Sequence, residues 1–442
     1  MNRRTFSKSV ATTAFGLAAL QTSTSGARIL GANDRVRCGF IGIANRGGQL
    51  IRAFEDNPDD LELTALCDVD SVTLGKVMEA HGNKPFATKD FREVLARNDV
   101  DAIVIATPDH WHAVMTVEAC KAGKDVYCEK PLCVTVHEGR VMVDAARKYN
   151  RVVQVGTHRR SAPHYRKLAE TGGDKLCGFV TMANSFHASN HFPNGIGHCQ
   201  PVAPPETLDW DLWLGPRPER PFQENIAPYK FRWWHLYSSQ MGNWGVHYLD
   251  AMRWILGETA PTSVCAMGGQ YVVDDDRDIP DTLHSVFAFA SGRLMTFIHS
   301  EGTGNPMFAT DANYRSLGEM ELRGTDGTMY ITDRHVKIYP ERGGRFTDHK
   351  PRSEAREFPG TPLLEIEQLH AKNFLDCVRT RQKPNCDVEE GHRSTTMSHI
   401  ANISLAMKQR LEWDAQAERF TNCDAANEML HYEYRKPWKL EI

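Results

Sequence analysis

The chain has 442 residues, of which 41% are hydrophobic and 24% charged, the make-up of a soluble globular protein too long for one ordinary core. A formal net charge of −4, with no basic run beyond the first ten residues, leaves no electrostatic footprint for nucleic acid and points to small-molecule chemistry in two folded domains. The eleven cysteines include no CxxC pair and several sit in strand-like runs, so they read as small core hydrophobes, with any disulfide pairing left open.

The opening Asn2-Arg3-Arg4-Thr5-Phe6-Ser7-Lys8 resembles a twin-arginine export signal, and it precedes a weakly apolar stretch, residues 10–20, too short to span a bilayer. Ser25-Gly26-Ala27 offers a cleavage site. Residues 1–32 are expected to be a removable signal, leaving an exported or periplasmic protein with no stable membrane anchor. The twin-arginine route carries folded proteins, so a cofactor would travel inside the fold and need tight retention outside the cytoplasm.

Residues 35–43, RVRCGFIGI, read as a buried parallel-type strand running into the turn Gly42-Ile43-Ala44-Asn45-Arg46-Gly47 and an amphipathic helix through Leu50, Ile51 and Phe54. Strand, glycine turn and helix make a dinucleotide cradle. Gly42 permits the tight turn, Gly47 lets the helix pack close, and the helix start presents amides to a pyrophosphate. Ala44 stands where the GxGxxG pattern has its second glycine, a departure of one methyl group. The next strand, 61–67, ends in Asp68, roughly 20 residues on, a carboxylate suited to the adenosine ribose hydroxyls. It favours NAD, while Arg46 nearby leaves NADP open.

A third strand, DAIVIATP, brings Thr107 and Pro108 to the carboxyl edge of the sheet, with a helix expected over 110–122. After the strand KDVYC come Glu129-Lys130-Pro131, then Thr135 with Glu138, a capping box opening a helix to Tyr149. The strand RVVQVG completes a doubly wound parallel sheet, giving an α/β dinucleotide domain over 33–156. His110-Trp111-His112 is spaced like a metal pair but follows a strand end, so His112 reads as cofactor-proximal.

The glycine turn, TPDHWH followed by AGKDVYCEKP, and the segment MGNWGVHYLDAMRWILG together resemble the glucose-fructose oxidoreductase, inositol dehydrogenase and rhizopine-catabolism (Gfo/Idh/MocA) family over essentially the whole mature chain. The resemblance implies that Lys130 points at both nicotinamide and substrate, with Glu129 beside it and Pro131 fixing the turn, often through a cis bond. It maps the family's DxxxH pair onto Asn243 and His247 and a later aspartate onto Asp250, with Asn243 in place of the first carboxylate. It also implies C-terminal helices returning over the dinucleotide domain, and a homodimer or homotetramer formed through the second domain's sheet.

Without the family, a helix over 240–256 puts Asn243, His247 and Asp250 on one face and leaves Leu249, Met252 and Ile255 for the core. Oxidising a hydroxyl requires its proton to leave as the carbon gives up hydride, so a base with a pKa near working pH must lie within hydrogen-bond reach. His247 has that chemistry, and a Lys130 ammonium would stabilise the developing alkoxide. With Asn243 neutral the imidazole lacks one carboxylate, a lack Asp250 is expected to make good.

Beyond Gly156 the strand signals FVTMANSF, TSVCAMGGQYV, TLHSVFAFA and RLMTFIHSE follow one another, with turns at Ser291-Gly292 and Thr325-Asp326-Gly327. Residues 157–442 therefore read as an α+β substrate domain with a large mixed, mostly antiparallel sheet. His187, His191, His198 and Cys199 lie in a stretch that does not read as a helix, which favours a substrate-facing loop over a metal site. Residues 201–234, rich in Pro, Trp and Arg, are either a sugar-binding wall or an interface arm. Helices over 369–378 and 388–411 and a packed arm over 431–438 end the chain.

These features point to an exported NAD-dependent oxidoreductase acting on a hydroxyl of a sugar, cyclic polyol or glycoside. Two alternatives stay open: a glycoside hydrolase or epimerase using transient oxidation, and a non-catalytic dinucleotide or sugar sensor. By resemblance, the family's glycosidases lack the lysine that this chain keeps at Lys130.

Overall fold

The computed structural model describes residues 34–304, 319–346 and 349–442, so the expected export signal lies outside the described residues. Six strands, β1 (Val36–Ile41), β2 (Leu61–Cys67), β3 (Phe86–Thr88), β4 (Ala102–Ile105), β5 (Asp125–Cys128) and β6 (Val153–Val155), pair in parallel in the order β3-β2-β1-β4-β5-β6. Helices α1 (Asn45–Glu55), α2 (Ser71–Ala80), α3 (Phe91–Leu95), α4 (His112–Lys121) and α5 (Val136–Lys148) join them. Helices on both faces explain why β4 and β5 are buried at every residue. The capping box forms: Glu138 N donates to Thr135 Oγ1 and Thr135 N donates to the Glu138 carboxylate, a feature worth about 1 kcal/mol. Strand order reverses between β1 and β4, and ligands of such sheets bind outside the carboxyl ends at that point.

A second sheet has ten strands: β7 (Val180–Ala188), β8 (Ser263–Gly269), β9 (Thr282–Ala288), β10 (Leu294–Ser300), β11 (Met320–Gly324), β12 (Gly327–Ile331), β13 (His335–Pro340), β14 (Arg356–Pro359), β15 (Leu411–Asp414) and β16 (Arg419–Phe420). Its order is β14-β13-β12-β11-β7-β10-β9-β8-β15-β16; β7 and β10 run parallel and the other pairs antiparallel. The sheet is thus mixed and mostly antiparallel, as expected.

Helices α6 (Pro163–Thr171), α7 (Gly173–Cys177), α8 (Trp210–Leu214), α9 (Val246–Ile255), α10 (Leu363–Thr380), α11 (Val388–Met407) and α12 (Asp424–Glu428) complete the fold. One core joins Leu249, Met252 and Ile255 of α9 to Phe287, Met295 and Phe297 of the sheet and to Met397 and Ile400 of α11. Another joins Phe374 and Leu375 of α10 to Phe40 of β1 and Phe54 of α1, with the Phe54 and Phe374 rings 6.1 Å apart. The chain therefore crosses back and ties the two sheets together. Removing a buried ring such as Phe374 costs roughly 3–5 kcal/mol.

Three element boundaries differ from expectation. The helix expected over 240–256 opens with a π-helical turn, Met241–Gly245, before α9. Helix α10 is longer than the expected 369–378. Helix α11 stops at Met407 because Lys408 takes the left-handed conformation, and the following residues pair with β8 instead. The eleven cysteines are all unpaired.

Candidate active site

Strand β1 ends at Ile41 and the chain turns at Gly42, where φ is +77°. A Cβ on Gly42 would lie 2.7 Å from Thr107 N, and one on Gly47 1.9 Å from Gly42 O. Backbone atoms therefore demand both glycines. Helix α1 begins beyond Ala44 with no side chain capping its amides and no acidic residue in its first turn. These amides open on a cavity of about 400 Å³ lined by Gly42, Ala44, Asn45, Arg46, Asp68, Thr107, Pro108, Glu129 and Lys130, and by Asn243 and Trp244 from the second domain. Thr107 Oγ1 is buried with no partner. Uncapped amides, a glycine cradle and an orphaned hydroxyl along one cleft fit a dinucleotide.

At the β2 end, Asp68 accepts from Ile43 N and Asp70 N, both at 3.0 Å, and burial raises its pKa. Across the sheet at the β5 end, Arg46 Nε donates to Glu129 Oε1 (2.9 Å) and Nη1 to Glu367 Oε1 (2.5 Å). β1 and β4 separate those two ends. The Arg46 guanidinium is thus engaged by two carboxylates away from Asp68. Burial alone would raise the Glu129 pKa, but Arg46 and Lys130 hold it below the usual range. His112 needs correction: it is buried and does not line the cavity. Its Nδ1 lies 2.8 Å from Pro131 O and Nε2 3.0 Å from Thr107 O. Burial opposes its charge, yet Cys128, Asp109 and the Pro131 carbonyl lift its pKa to about 10. A ring donating from both nitrogens ties the β4 and β5 loops together.

The Lys130–Pro131 bond is cis, and Pro131 packs on the π-helical turn, where a Cβ on Gly242 would lie 3.1 Å from Pro131 Cγ. Lys130 Nζ donates to Asn243 O (2.8 Å) and Asn243 Oδ1 (3.1 Å). Burial pushes the Lys130 pKa down to about 8; Glu129 and Asp109 oppose the shift, and Arg232 and Arg46 add to it. One turn on, burial, then Lys130 and His158, push the His247 pKa well below its usual value. His247 does not line the dinucleotide cavity. It lines an adjoining cavity of about 420 Å³, and Trp244 is a wall of both. Lys130 and Asn243 are thus in contact, and His247 lines the adjoining cavity, near enough for the Lys130 charge to depress its pKa. Asp250 is in neither cavity. Arg160 Nε reaches both of its oxygens, at 3.0 and 2.9 Å, and Ser394 donates to Oδ1 at 2.6 Å. Its expected place beside His247 is corrected to a buried structural ion pair.

Residues 36–157 match the family described as "Oxidoreductase family, NAD-binding Rossmann fold", and residues 174–280 and 320–440 match "Oxidoreductase family, C-terminal alpha/beta domain". The chain belongs to this Gfo/Idh/MocA oxidoreductase family. A protein named "Glycosyl hydrolase family 109 protein" from Shewanella sp. (strain W3-18-1) is 35% identical over 123 residues, and one of the same name from Shewanella putrefaciens (strain CN-32 / ATCC BAA-453) is 36% identical over 124. Each match covers 26% of this chain and 27% of the relative, so the chain spans about a quarter of the length of these relatives. In fold, the chain is similar to levoglucosan dehydrogenase in complex with NADH and levoglucosan, with a TM-score of 0.64, 16% identity and coverage of 86% of this chain and 99% of that one. It is equally similar to an oxidoreductase domain protein from Kribbella flavida, with a TM-score of 0.64, 20% identity and coverage of 86% and 99%.

In this oxidoreductase the cavity also holds residues that the sequence did not single out. Asp109 is buried, accepts from Ser238 Oγ, and has its pKa raised by burial against the pull of His112 and Lys130. Arg232 donates to Tyr229 O (2.8 Å) and lies over the Tyr229 and Phe231 rings at 4.3 and 4.5 Å. The 201–234 segment, expected as a sugar wall or interface arm, roofs the dinucleotide cleft with Leu208, Leu212, Trp213, Pro228, Tyr229, Phe231 and Arg232. Ser71 N and Lys89 Nζ both donate to Thr207 O, and Asp209 N to Val69 O, which pins this roof to the β2 edge. The four residues singled out in 187–199 do not converge: His187, on β7, stacks on Trp244, His191 lies 3.4 Å from Glu301, and His198 and Cys199 N both bond to Asp276.

Proposed function

We propose that this chain is an exported NAD-dependent dehydrogenase that oxidises a hydroxyl of a sugar, cyclic polyol or glycoside, with Lys130 taking the proton. Pyrophosphate would sit on the amides of residues 44–47, adenosine towards Asp68 and nicotinamide towards Thr107, Pro108 and Lys130. NAD, when bound there, supplies the hydride acceptor.

The observation that carries the reading is the double hydrogen bond of Lys130. A neutral amine has two N–H bonds and one lone pair. Asn243 O and Oδ1 take both N–H bonds, which leaves the lone pair for a substrate hydroxyl. With its pKa lowered to about 8, the amine is deprotonated in a useful fraction at mildly alkaline pH. His247, which burial and the neighbouring Lys130 charge make poorly basic, would orient the hydroxyl from the adjoining cavity. These roles reverse the sequence expectation, in which His247 was the base. The likeness to levoglucosan dehydrogenase supports a sugar substrate.

Tight cofactor retention is supported by the pinned roof and by the C-terminal arm behind it. Arg435 binds Gly215 O and Asp211, and Trp438 packs edge-on to Trp111 at 4.7 Å. Export is supported by the Asn2–Lys8 pattern. Self-association through the open face of the ten-stranded sheet is supported by exposed Met182 and Leu294, which are cross-strand partners, and by exposed Met267 further along the same face.

The test incubates purified protein with a panel of sugars, polyols and glycosides while following reduced-nicotinamide absorbance and products. Net oxidation is expected, with Lys130→Met slower by about 10²–10⁴-fold at unchanged cofactor content. Redox-neutral cleavage or epimerisation would replace this reading with the glycosidase one, which the Shewanella relatives' names support. No turnover of any compound by cofactor-loaded protein would make the chain a sensor.

A further inference from the structure

The dinucleotide cavity holds a second cation that no proton transfer at Lys130 uses. Arg232 lines the cavity from its roof, on the 3-10 helical turn Lys230–Trp233. The acidic side chains whose charges reach it are Asp109, after β4, and Glu129, after β5. Its own charge in turn helps to depress the Lys130 pKa. Arg232 therefore stands at the Lys130 end of the cleft, with Asp68 at the opposite, β2 end. Its guanidinium is held in place. Nη1 donates to Tyr229 O (2.8 Å), and the group lies over the Tyr229 and Phe231 rings at 4.3 and 4.5 Å. The next residue, Trp233, is buried, and its indole Nε1 donates to both oxygens of Glu301, just after β10, at 3.0 and 2.9 Å. Trp234 Nε1 donates to Asn225 O at 2.8 Å. The second sheet thus fixes the backbone that carries Arg232, so little freedom is left to lose on binding.

Among the described residues no carboxylate pairs with Arg232, and its Nε and Nη2 have no hydrogen-bond partner. The acids of that end are engaged elsewhere. Glu129 pairs with Arg46, and Asp109 accepts from Ser238 Oγ and faces the charge of His112. Burial works against the Arg232 charge, with Asp109, Tyr229 and Glu129 opposing that shift, and a guanidinium does not give up its proton in a protein. A half-buried cation without a counter-ion costs free energy that a bound anion offsets. The open N–H groups also select the shape of that anion. Nε and Nη2 lie along one edge of the planar group and present parallel donors, the match for the two oxygens of a carboxylate. A phosphate brings a third oxygen and further negative charge, for which this end of the cavity has only Lys130, already turned to Asn243.

We propose that Arg232 is a specificity-determining residue that binds a carboxylate of the substrate, so that the preferred substrate is a polyhydroxy acid, such as a uronic or aldonic acid, rather than a neutral sugar. The inference rests on the reading that a hydroxyl is oxidised at Lys130. The carboxylate engages the Nε–Nη2 edge of Arg232 while a hydroxyl of the same molecule lies at Lys130.

The experiment uses the NAD-loaded full chain and matched probes: hexuronic and hexonic acids, the parent hexoses, the uronamides, and hexose phosphates. Binding is read by calorimetry on Lys130→Met protein, which holds substrate without turnover, and kcat/KM is read on the unmutated protein. A two-pronged hydrogen bond between charged groups implies that at least one acid binds about tenfold or more tighter than both its hexose and its amide, with kcat/KM in the same order. Arg232→Gln should bring the acid-to-hexose ratio towards one with dinucleotide content kept. Arg232→Lys, which keeps the charge but loses the fork, should give an intermediate ratio. Equal binding of every acid and its hexose, preference for a phosphate over the acids, or an Arg232→Gln variant that weakens acid and hexose alike would each overturn the proposal. Loss of dinucleotide from Arg232→Gln would also overturn it, by assigning the guanidinium to the cofactor. An Arg232-dependent acid preference in binding with no oxidation by the unmutated protein would instead leave the carboxylate site standing and remove the dehydrogenase reading.

Discussion

Two turns meet at the site, and they differ in what forbids a side chain. At residues 42–47 the obstacles are backbone atoms, with Gly42 O only 1.9 Å from where a Gly47 Cβ would stand. At the π-helical turn Met241–Gly245 they are side chains: Pro131 Cγ 3.1 Å from a Gly242 Cβ and Phe297 Cδ1 3.2 Å from a Gly245 Cβ. Backbone packed into a parallel sheet cannot yield, whereas a proline ring or a phenyl group can shift by a few tenths of an ångström. The first turn is therefore set by the fold. The second is adjustable, and it carries Asn243, which holds Lys130.

The largest effect expected from that contrast is at Gly47. Gly47→Ala should leave protein that retains no dinucleotide and melts earlier, since overpacking against unyielding atoms costs about 1–3 kcal/mol or more. Cofactor content and thermal unfolding check this, and a variant that keeps stoichiometric dinucleotide would break the contrast. Gly242→Ala should be milder. Pro131 yields, Lys130 is displaced slightly from Asn243, and turnover falls roughly tenfold with cofactor retained, on the scale of small misplacements in an active site. Loss of cofactor from that variant would mean that the two turns are coupled more tightly than their contacts indicate.

The same contrast explains what the sequence could disclose. The glycine turn, the buried strands and the Thr135–Glu138 cap are local patterns set by backbone geometry, and each is where the residues indicated. The π-helical turn left no periodic trace, because one inserted residue changes only the phase of a pattern that MGNWG is too short to display. Asp250 shares a helical face with His247 by spacing, but its partner Arg160 lies 90 residues earlier in the chain. Burial, which makes His247 a poor base and Lys130 a good one, depends on packing from both domains. Asp109 and Arg232 were hidden for the same reason. The Trp-rich and Arg-rich composition of 201–234 signalled a special use without revealing that the segment roofs the dinucleotide cleft.

The smallest change, and the most informative, is Asn243→Asp read through the pH dependence of kcat/KM for oxidation. A base must be deprotonated to act, so with Lys130 in that role the rate rises with pH through a limb near 8. A carboxylate against the ammonium stabilises the charged form, so the variant's limb should move up by about one pH unit or more and its activity at neutral pH should fall. A limb near the ordinary histidine value of about 6.5 that stays put in Asn243→Asp and vanishes in His247→Gln would contradict Lys130 as the base.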